Sequence, residues 1–158
     1  MGETIAILIV FFFMVVFGLS FYVRIQQSQV EYSIEEQAQL KSIEIAQKTM
    51  FLPELQCSSK NVIIENCFDI LKMEKFNELM DSERNQTYFD TFEFSKIEVK
   101  EIYPDEIISE KWTLYNREKI LKDKPTWKTK STTQVPISLY DPIEKKYYIG
   151  ILTIEVYL

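Results

Sequence analysis

A chain of 158 residues with a formal net charge of −6 and no histidine excludes several classes of function. The negative charge disfavours nucleic acid as a partner, because phosphates are bound by surfaces rich in Lys and Arg. Without histidine the chain lacks the commonest general base and the commonest zinc ligand, and its 3 glycines form no glycine-rich phosphate-binding motif. We therefore expect a protein that is not an enzyme and that uses no metal and no cofactor.

The N-terminal segment is the most apolar part of the chain. Residues Ile5 to Val23 carry no charged side chain, and a helix of about 20 residues is roughly as long as a bilayer's hydrocarbon core is thick. A cleaved signal peptide is the competing interpretation, but it would begin with basic residues and have a shorter apolar stretch. Here the charged side chain before the apolar run is acidic, Glu3. The sequence predicts a transmembrane helix over residues 1–23 that contacts the lipid bilayer.

A helical pattern continues beyond the apolar segment. Apolar residues recur among polar ones, and no Pro or Gly interrupts the pattern until Pro53 supplies a stop. We predict an amphipathic continuation of the same helix over residues 24–52. Its apolar stripe, which includes Ala38 and Ile45, should pack against the rest of the protein, and its opposite face should be polar.

Residues 53–158 are predicted to form an α+β head. A second, shorter helix is predicted from about Asn66 to Met80, where apolar residues fall near helical spacing. The polar residues 81–86 then form a loop. Beyond that loop the hydrophobic period changes to two, which is typical of β-strands.

The predicted strands form an antiparallel sheet. Asp141 and Pro142 are typical of the first two positions of a turn, so the last two strands are predicted to form a hairpin. Pro136 favours an edge position for its strand, because proline has no N–H to donate. The basic stretch Lys119–Ser131 is predicted to be a loop. The strands are predicted around Ile97–Tyr103, Trp112–Tyr115, Val135–Leu139 and Tyr147–Leu158.

Cys57 and Cys67 are the 2 cysteines of the chain. A disulfide between them would close a short loop and contribute about 2–3 kcal/mol in the chain-entropy model. The alternative is a pair of unpaired buried thiols in a reducing compartment. We predict the disulfide for a head that lies outside the cytoplasm, and the residues alone leave both interpretations open.

The orientation in the membrane rests on opposing signals. Arg24 follows the apolar run directly, and the positive-inside rule taken literally would place the head in the cytoplasm. Asn85 begins an Asn-x-Thr sequence in a predicted loop, which is the acceptor pattern for N-glycosylation outside the cytoplasm. Together with the cysteine pair, this pattern favours a single-pass membrane protein with its head outside the cytoplasm.

The chain resembles the type IV pilin and pilin-like superfamily. The resemblance is carried by the apolar run that follows Gly2 and Glu3, by its amphipathic helical continuation, and by the strands from Ile97 onward. In that family the apolar half of the helix anchors the subunit before assembly and then forms the core of an extracellular filament. The resemblance implies a subunit of a type IV-type filament or of its assembly machinery. Its partners would be copies of itself or other pilin-like subunits, with packing at Glu3, Ile5, Ile9, Phe12 and Val16.

A second hypothesis belongs to another class of function. It is a single-span, membrane-anchored extracytoplasmic protein that binds a partner or acts as an adaptor and does not polymerise. The apolar helix of an anchor only has to suit lipid, whereas that of a filament subunit must also pack against copies of itself. This difference separates the two hypotheses.

Overall fold

The computed structural model describes residues 2–60, 62–80, 87–103, 110–121 and 124–158. The chain divides into two compact units, Met1–Glu36 and Gln37–Leu158. The described part of the first unit is helical, and the second contains the rest of that helix together with the described strands. The predicted limits of the membrane segment, its continuation and the head, at residues 23 and 52, stay predictions.

The described residues form a mixed α+β protein with an N-terminal apolar helix and a sheet in which antiparallel pairing dominates. The elements in chain order are α1 (Gly2–Met50), β1 (Gln56–Ser59), β2 (Val62–Asp69), α2 (Ile70–Met80), α3 (Phe89–Phe92), β3 (Ser95–Tyr103), β4 (Lys111–Asn116), β5 (Ile120–Leu121), β6 (Lys124–Pro125), β7 (Lys130–Asp141) and β8 (Lys146–Tyr157).

Side chains close the ends of two helices. Helix α1 ends just before Pro53, and Gln56 Nε2 donates a hydrogen bond of 2.9 Å to the carbonyl oxygen of Met50. At the start of α2, the carboxylate of Asp69 accepts a hydrogen bond of 3.2 Å from the backbone N–H of Lys72. Asp69 is therefore an N-cap, which satisfies a donor that the helix itself leaves unpaired.

The main sheet has the strand order β1-β2-β7-β8-β3-β4. Strands β7 and β8 pair antiparallel along their full length, and β3 and β4 extend the sheet beyond β8, also antiparallel. Strand β2 joins β7 in parallel over Cys67–Asp69, and β1 pairs antiparallel with β2 at the edge. Strands β5 and β6 form a separate two-stranded ribbon.

One face of the sheet forms the core of the second unit. Alternate residues of β3 and β8 are fully buried there, as the period of two requires. The buried stripe of α1 and the apolar side of α2 pack into the same cluster. The members that define this core face are Ile45, Ala46, Met73, Phe76, Ile97, Val99, Ile137, Leu139, Leu152 and Ile154.

The predicted start of the second helix at Asn66 is wrong. The helix begins at Ile70, and the residues before it belong to β2. Asn66, within β2, has a positive φ of 54°, which is not helical, and the Asp69 cap sets the helix start. Helical spacing of the apolar residues around Cys67 arose because one strand leads directly into the helix.

The prediction of a wholly antiparallel sheet is also corrected, because β2 runs parallel to β7. Strand β7 consequently has a neighbour on each side and is not an edge strand. Pro136 nevertheless pairs with Ile151 of β8 alone among the described strands, since β2 reaches β7 only from Ser138 onward. The proline therefore lies where the β2 side of its strand is unpaired.

The hairpin between β7 and β8 is confirmed. Asp141 accepts hydrogen bonds through Oδ1 from the backbone N–H groups of Ile143, at 2.7 Å, and Glu144, at 3.2 Å. This is the Asx-type turn that an Asp-Pro pair favours. The stretch Lys119–Ser131, in contrast, contains β5, β6 and the start of β7, and so it is not the loop that its composition predicts.

The packing of α1 on the sheet predicts unequal tolerance at two neighbouring helix positions. Ile45 has no exposed surface, whereas Gln47 is exposed. Ile45→Asp should lower the free energy of unfolding by at least about 3 kcal/mol, because it buries a charge without a partner. Gln47→Asp, the matched control, should lower it by less than about 1 kcal/mol. Urea unfolding of the full chain in detergent, followed by fluorescence of the buried Trp112, measures both; equal losses would contradict this packing.

Candidate functional site

The apolar part of α1 is exposed throughout. Residues Ile7–Gln26 have a mean hydropathy of 2.3 and none of this stretch is buried, so it is long and apolar enough to span a membrane. Its polar groups bond within the helix: Ser20 Oγ donates to the carbonyl oxygen of Val16 at 2.9 Å, and Gln26 Nε2 donates to Tyr22 Oη at 2.9 Å. Such internal satisfaction is what hydrocarbon requires of polar side chains.

The predicted packing residues of this segment share one side of the helix. Ile5, Ile9, Phe12 and Val16 follow one another at intervals of three and four residues, which places them in one stripe. Each has at least 42% of its surface exposed. The side chain of Glu3 lies outside the described residues, so its predicted role stays a prediction.

Within the second unit, α1 packs against the sheet through a stripe of side chains that is partly polar. Ala38, Ser42 and Ile45 are fully buried, as predicted for Ala38 and Ile45 from the periodicity. The hydroxyl of Ser42 hydrogen-bonds the hydroxyl of Thr133 on β7, which fixes the helix to one strand of the sheet. Lys41, on the flank of this stripe, hydrogen-bonds Glu93, and that bond raises the pKa of Lys41 above its ordinary value.

The opposite side of the same helix carries the expected polar residues, such as Glu44 and Gln47, but it also carries exposed apolar ones that were not predicted. Leu40 is 62% exposed and Ile43 is 48% exposed, and Phe51, just beyond the helix end, is 66% exposed. At about 100° per residue these positions fall on the side away from the buried stripe. An exposed apolar stripe on a folded helix is unusual unless another molecule covers it. The periodicity of the sequence did not predict these exposed apolar residues, because apolar residues on either side of the helix could have faced the core.

The outer face of the sheet, which is the face opposite the core, carries a ladder of ion pairs. Lys130 Nζ lies 2.9 Å from Glu155 Oε1, and Glu98 Oε1 lies 3.0 Å from Lys96 Nζ and 2.9 Å from Lys111 Nζ. Burial alone would raise the pKa of Glu98, but hydrogen bonds from Lys111 and Lys96 outweigh it and hold that pKa below its ordinary value. The first pair joins β7 to β8, and the bonds of Glu98 join β3 to β4.

Beyond the ladder the outer face becomes apolar. Tyr103, Tyr147 and Ile149 are each more than half exposed, and Tyr103 lies opposite Ile149 across β3 and β8.

On the other side of the head, an open cleft of about 360 Å³ runs beside α2. It is lined by Glu54, Lys72, Lys75, Phe76, Leu79, Met80 and Tyr88.

Cys57 and Cys67 form the predicted disulfide, with their Cα atoms 5.3 Å apart. Both are buried, and they join β1 to β2 at the point where β2 begins to pair with β7. The bond therefore fixes the edge hairpin to the body of the sheet.

The register of that hairpin changes directly beyond the disulfide. On the side nearer the core, Gln56 lies opposite Phe68; on the far side, Ser58 lies opposite Ile63. Residues 64–66 therefore have no counterpart on β1 and form a bulge of three residues, which ends at Asn66 with its positive φ.

The last predicted features concern N-glycosylation and metal binding. Asn85 lies outside the described residues, and Thr87, the third residue of its acceptor pattern, is exposed in a turn. Within the described residues, no group of three or more His, Cys, Asp or Glu is arranged to hold a metal ion.

Comparison of the chain with models of known protein families, with curated proteins and with solved structures finds no match.

The disulfide predicts the thiol content of the purified protein. Denatured, unreduced protein should react with no equivalents of a thiol reagent, and reduced protein with two, because both cysteines are paired. Thiol titration by absorbance or mass spectrometry measures this. Reaction of the freshly isolated, unreduced chain would contradict the pairing.

The ion-pair ladder predicts a loss of stability in acid. A carboxyl with a lowered pKa in the folded state stabilises the fold above its ordinary pKa of 4.5, and that contribution is lost as pH falls through the folded value. The free energy of unfolding should therefore decrease at pH values below about 5. Glu98→Gln should reduce that decrease by on the order of 1 kcal/mol. Glu74→Gln, which changes an exposed acid on α2, is the control and should leave the pH profile unchanged. Identical profiles for all three proteins would show that the ladder adds nothing.

Proposed function

We propose that this chain is a pilin-like subunit of an extracellular, type IV-type filament or of its assembly machinery. It is anchored in the membrane by the apolar part of α1 before assembly, with its head outside the cytoplasm. During assembly it packs through the same helix against copies of itself or against other pilin-like subunits.

The observation that carries the proposal is the exposed apolar stripe of α1 at Leu40, Ile43 and Phe51. These residues belong to the compact head and lie beyond any length of helix that a bilayer needs. An anchored monomer would gain nothing by exposing them to water, because exposed apolar surface costs about 25 cal/mol per Å². A subunit that packs helix against helix would bury them.

The apolar segment supports the membrane-anchored stage. Its 20 residues, Ile7–Gln26, match the thickness of a bilayer, and its side chains are exposed on every side. In a filament core the stripe of Ile5, Ile9, Phe12 and Val16 would exchange lipid contacts for contacts with neighbouring helices.

The disulfide supports a head outside the cytoplasm. Structural disulfides persist in oxidising compartments and are rare in the cytoplasm. Cys57 and Cys67 are bonded and buried in the structure, so the pair has a structural position. This favours the outward orientation over the one that Arg24 alone would predict.

The test of the proposal is electron microscopy of surface material sheared from the cells that produce the protein, labelled with an antibody to the head. Labelled filaments would support the proposal. Surface label without filaments would favour the membrane-anchored adaptor, and label confined to broken cells would contradict an outside head.

Substitution on the exposed stripe should separate assembly from folding. Leu40→Gln combined with Ile43→Gln should reduce filament yield at least about tenfold, because each interface loses on the order of 2 kcal/mol of apolar burial. The stability of the head should change by less than about 1 kcal/mol, since both side chains are exposed. Filament yield is measured by quantitative immunoblotting of sheared material.

The matched control is Leu71→Gln, the same chemical change at an exposed leucine of α2. It should leave filament yield unchanged. If both variants assemble normally, the stripe is not an assembly surface; if both fail to assemble, the effect is not specific to α1.

A further inference from the structure

We propose that the hairpin of β1 and β2 is a conformational switch with two registers. Its outer part, called the arm here, comprises the described residues 58–60 and 62–66. In the structure the arm is bulged, with Ser58 opposite Ile63. In the second register Ser58 would lie opposite Asn66, so the pairing of Gln56 with Phe68 would continue without a bulge. The proposal does not rest on the proposed function.

Burial does not hold the arm in one register. A slip of three residues turns every side chain of a strand to the other face, and it is normally prevented because one face is buried. Here Ser58, Ser59, Val62 and Ile63 are exposed, and Ile64 is the one half-buried residue among those of the arm that the structure describes. Neither register is therefore selected by the core.

The sheet does not hold the arm either. Strand β1 is the edge strand, and β2 pairs with β7 only from Cys67 onward. The arm therefore projects beyond the part of the sheet where β2 has neighbours on both sides. Among the described ladders, a change in its pairing breaks only the outer pairs of β1 with β2.

The base of the hairpin stays fixed in both registers. Leu55 and Phe68 are fully buried, and the backbone N–H of Asp69 donates to the carbonyl oxygen of Leu55 at 2.9 Å. The disulfide of Cys57 with Cys67 continues this base register and is compatible with either pairing beyond it. The switch thus operates in the oxidised, folded protein.

The costs of the two registers oppose each other. The bulged register needs a left-handed backbone at Lys60, with φ 50°, and at Asn66, with φ 54°, and it leaves a bulge of three residues without partners. The regular register removes those costs but places Val62 and Ile63 in the connecting loop, where β-branched residues are disfavoured. Each register therefore avoids the conformational cost of the other.

The register decides how the arm presents its aliphatic side chains. In the bulged form Val62 and Ile63 are strand residues and point to opposite faces of the hairpin. In the regular form both would lie at the tip. A partner that contacts one arrangement therefore shifts the population towards it.

The experiment is solution NMR of the oxidised full chain in detergent micelles, with exchange measurements that detect a minor state. The wild type should show a major form with cross-strand contacts between residues 58 and 63 and a minor form with contacts between residues 58 and 66. Asn66→Gly should favour the bulged form, because glycine adopts positive φ without cost, whereas Asn66→Val should favour the regular form. The ratio of the two forms should differ by about five- to thirty-fold between these variants.

A second substitution can be made at the other end of the arm. Lys60→Gly should favour the bulged form as Asn66→Gly does, and it keeps the proposal testable if a change at position 66 fails to fold. Resonances of β7 and β8 should be the same in every variant. A single register in the wild type that persists in Asn66→Val would overturn the switch, and so would an arm that loses the contact of residues 58 and 63 in that variant without gaining the contact of residues 58 and 66.

Discussion

The packing of α1 on the sheet is the contact on which the head depends. Ala38, Ile45 and Ala46 give the helix a narrow apolar stripe that is buried against the rest of the head. Ser42 adds a directional bond to Thr133 within the same stripe. Because interiors are close-packed, this combination fixes both the distance and the rotation of the helix, and the core around Leu152 and Ile154 forms beneath it.

Sequence reasoning succeeded where a segment's pattern is dictated by its own burial. The long helix was predictable because its apolar run and its later periodicity both favour a helix. The hairpin of β7 and β8 was predictable because alternate residues such as Leu152 and Ile154 are buried on one face, and Asp141 supplies the turn. The disulfide was predictable as one of two interpretations, and the structure selects it.

Sequence reasoning failed where the surroundings, and not the segment, decide the outcome. Strand β2 is exposed on both faces over most of its length, so it has no alternation to detect, and its parallel pairing with β7 is set by the burial of Phe68. The exposed stripe at Leu40 and Ile43 was missed for a related reason. A helix with apolar residues on two sides does not reveal which side the sheet will cover, and here the sheet covers the side that forms the Ser42 hydrogen bond.

The hydroxyl pair of Ser42 and Thr133 has a consequence for geometry. A helix held only by aliphatic contacts can rotate about its own axis by tens of degrees as its neighbours repack. A helix that also carries a directional side-chain hydrogen bond to a strand resists such rotation, because rotation would break the bond between Ser42 and Thr133. The direction in which Leu40 and Ile43 point relative to the strands is therefore fixed by contacts within the molecule. Any partner that binds Leu40 and Ile43 therefore meets the head at an angle that the hydrogen bond of Ser42 helps to set.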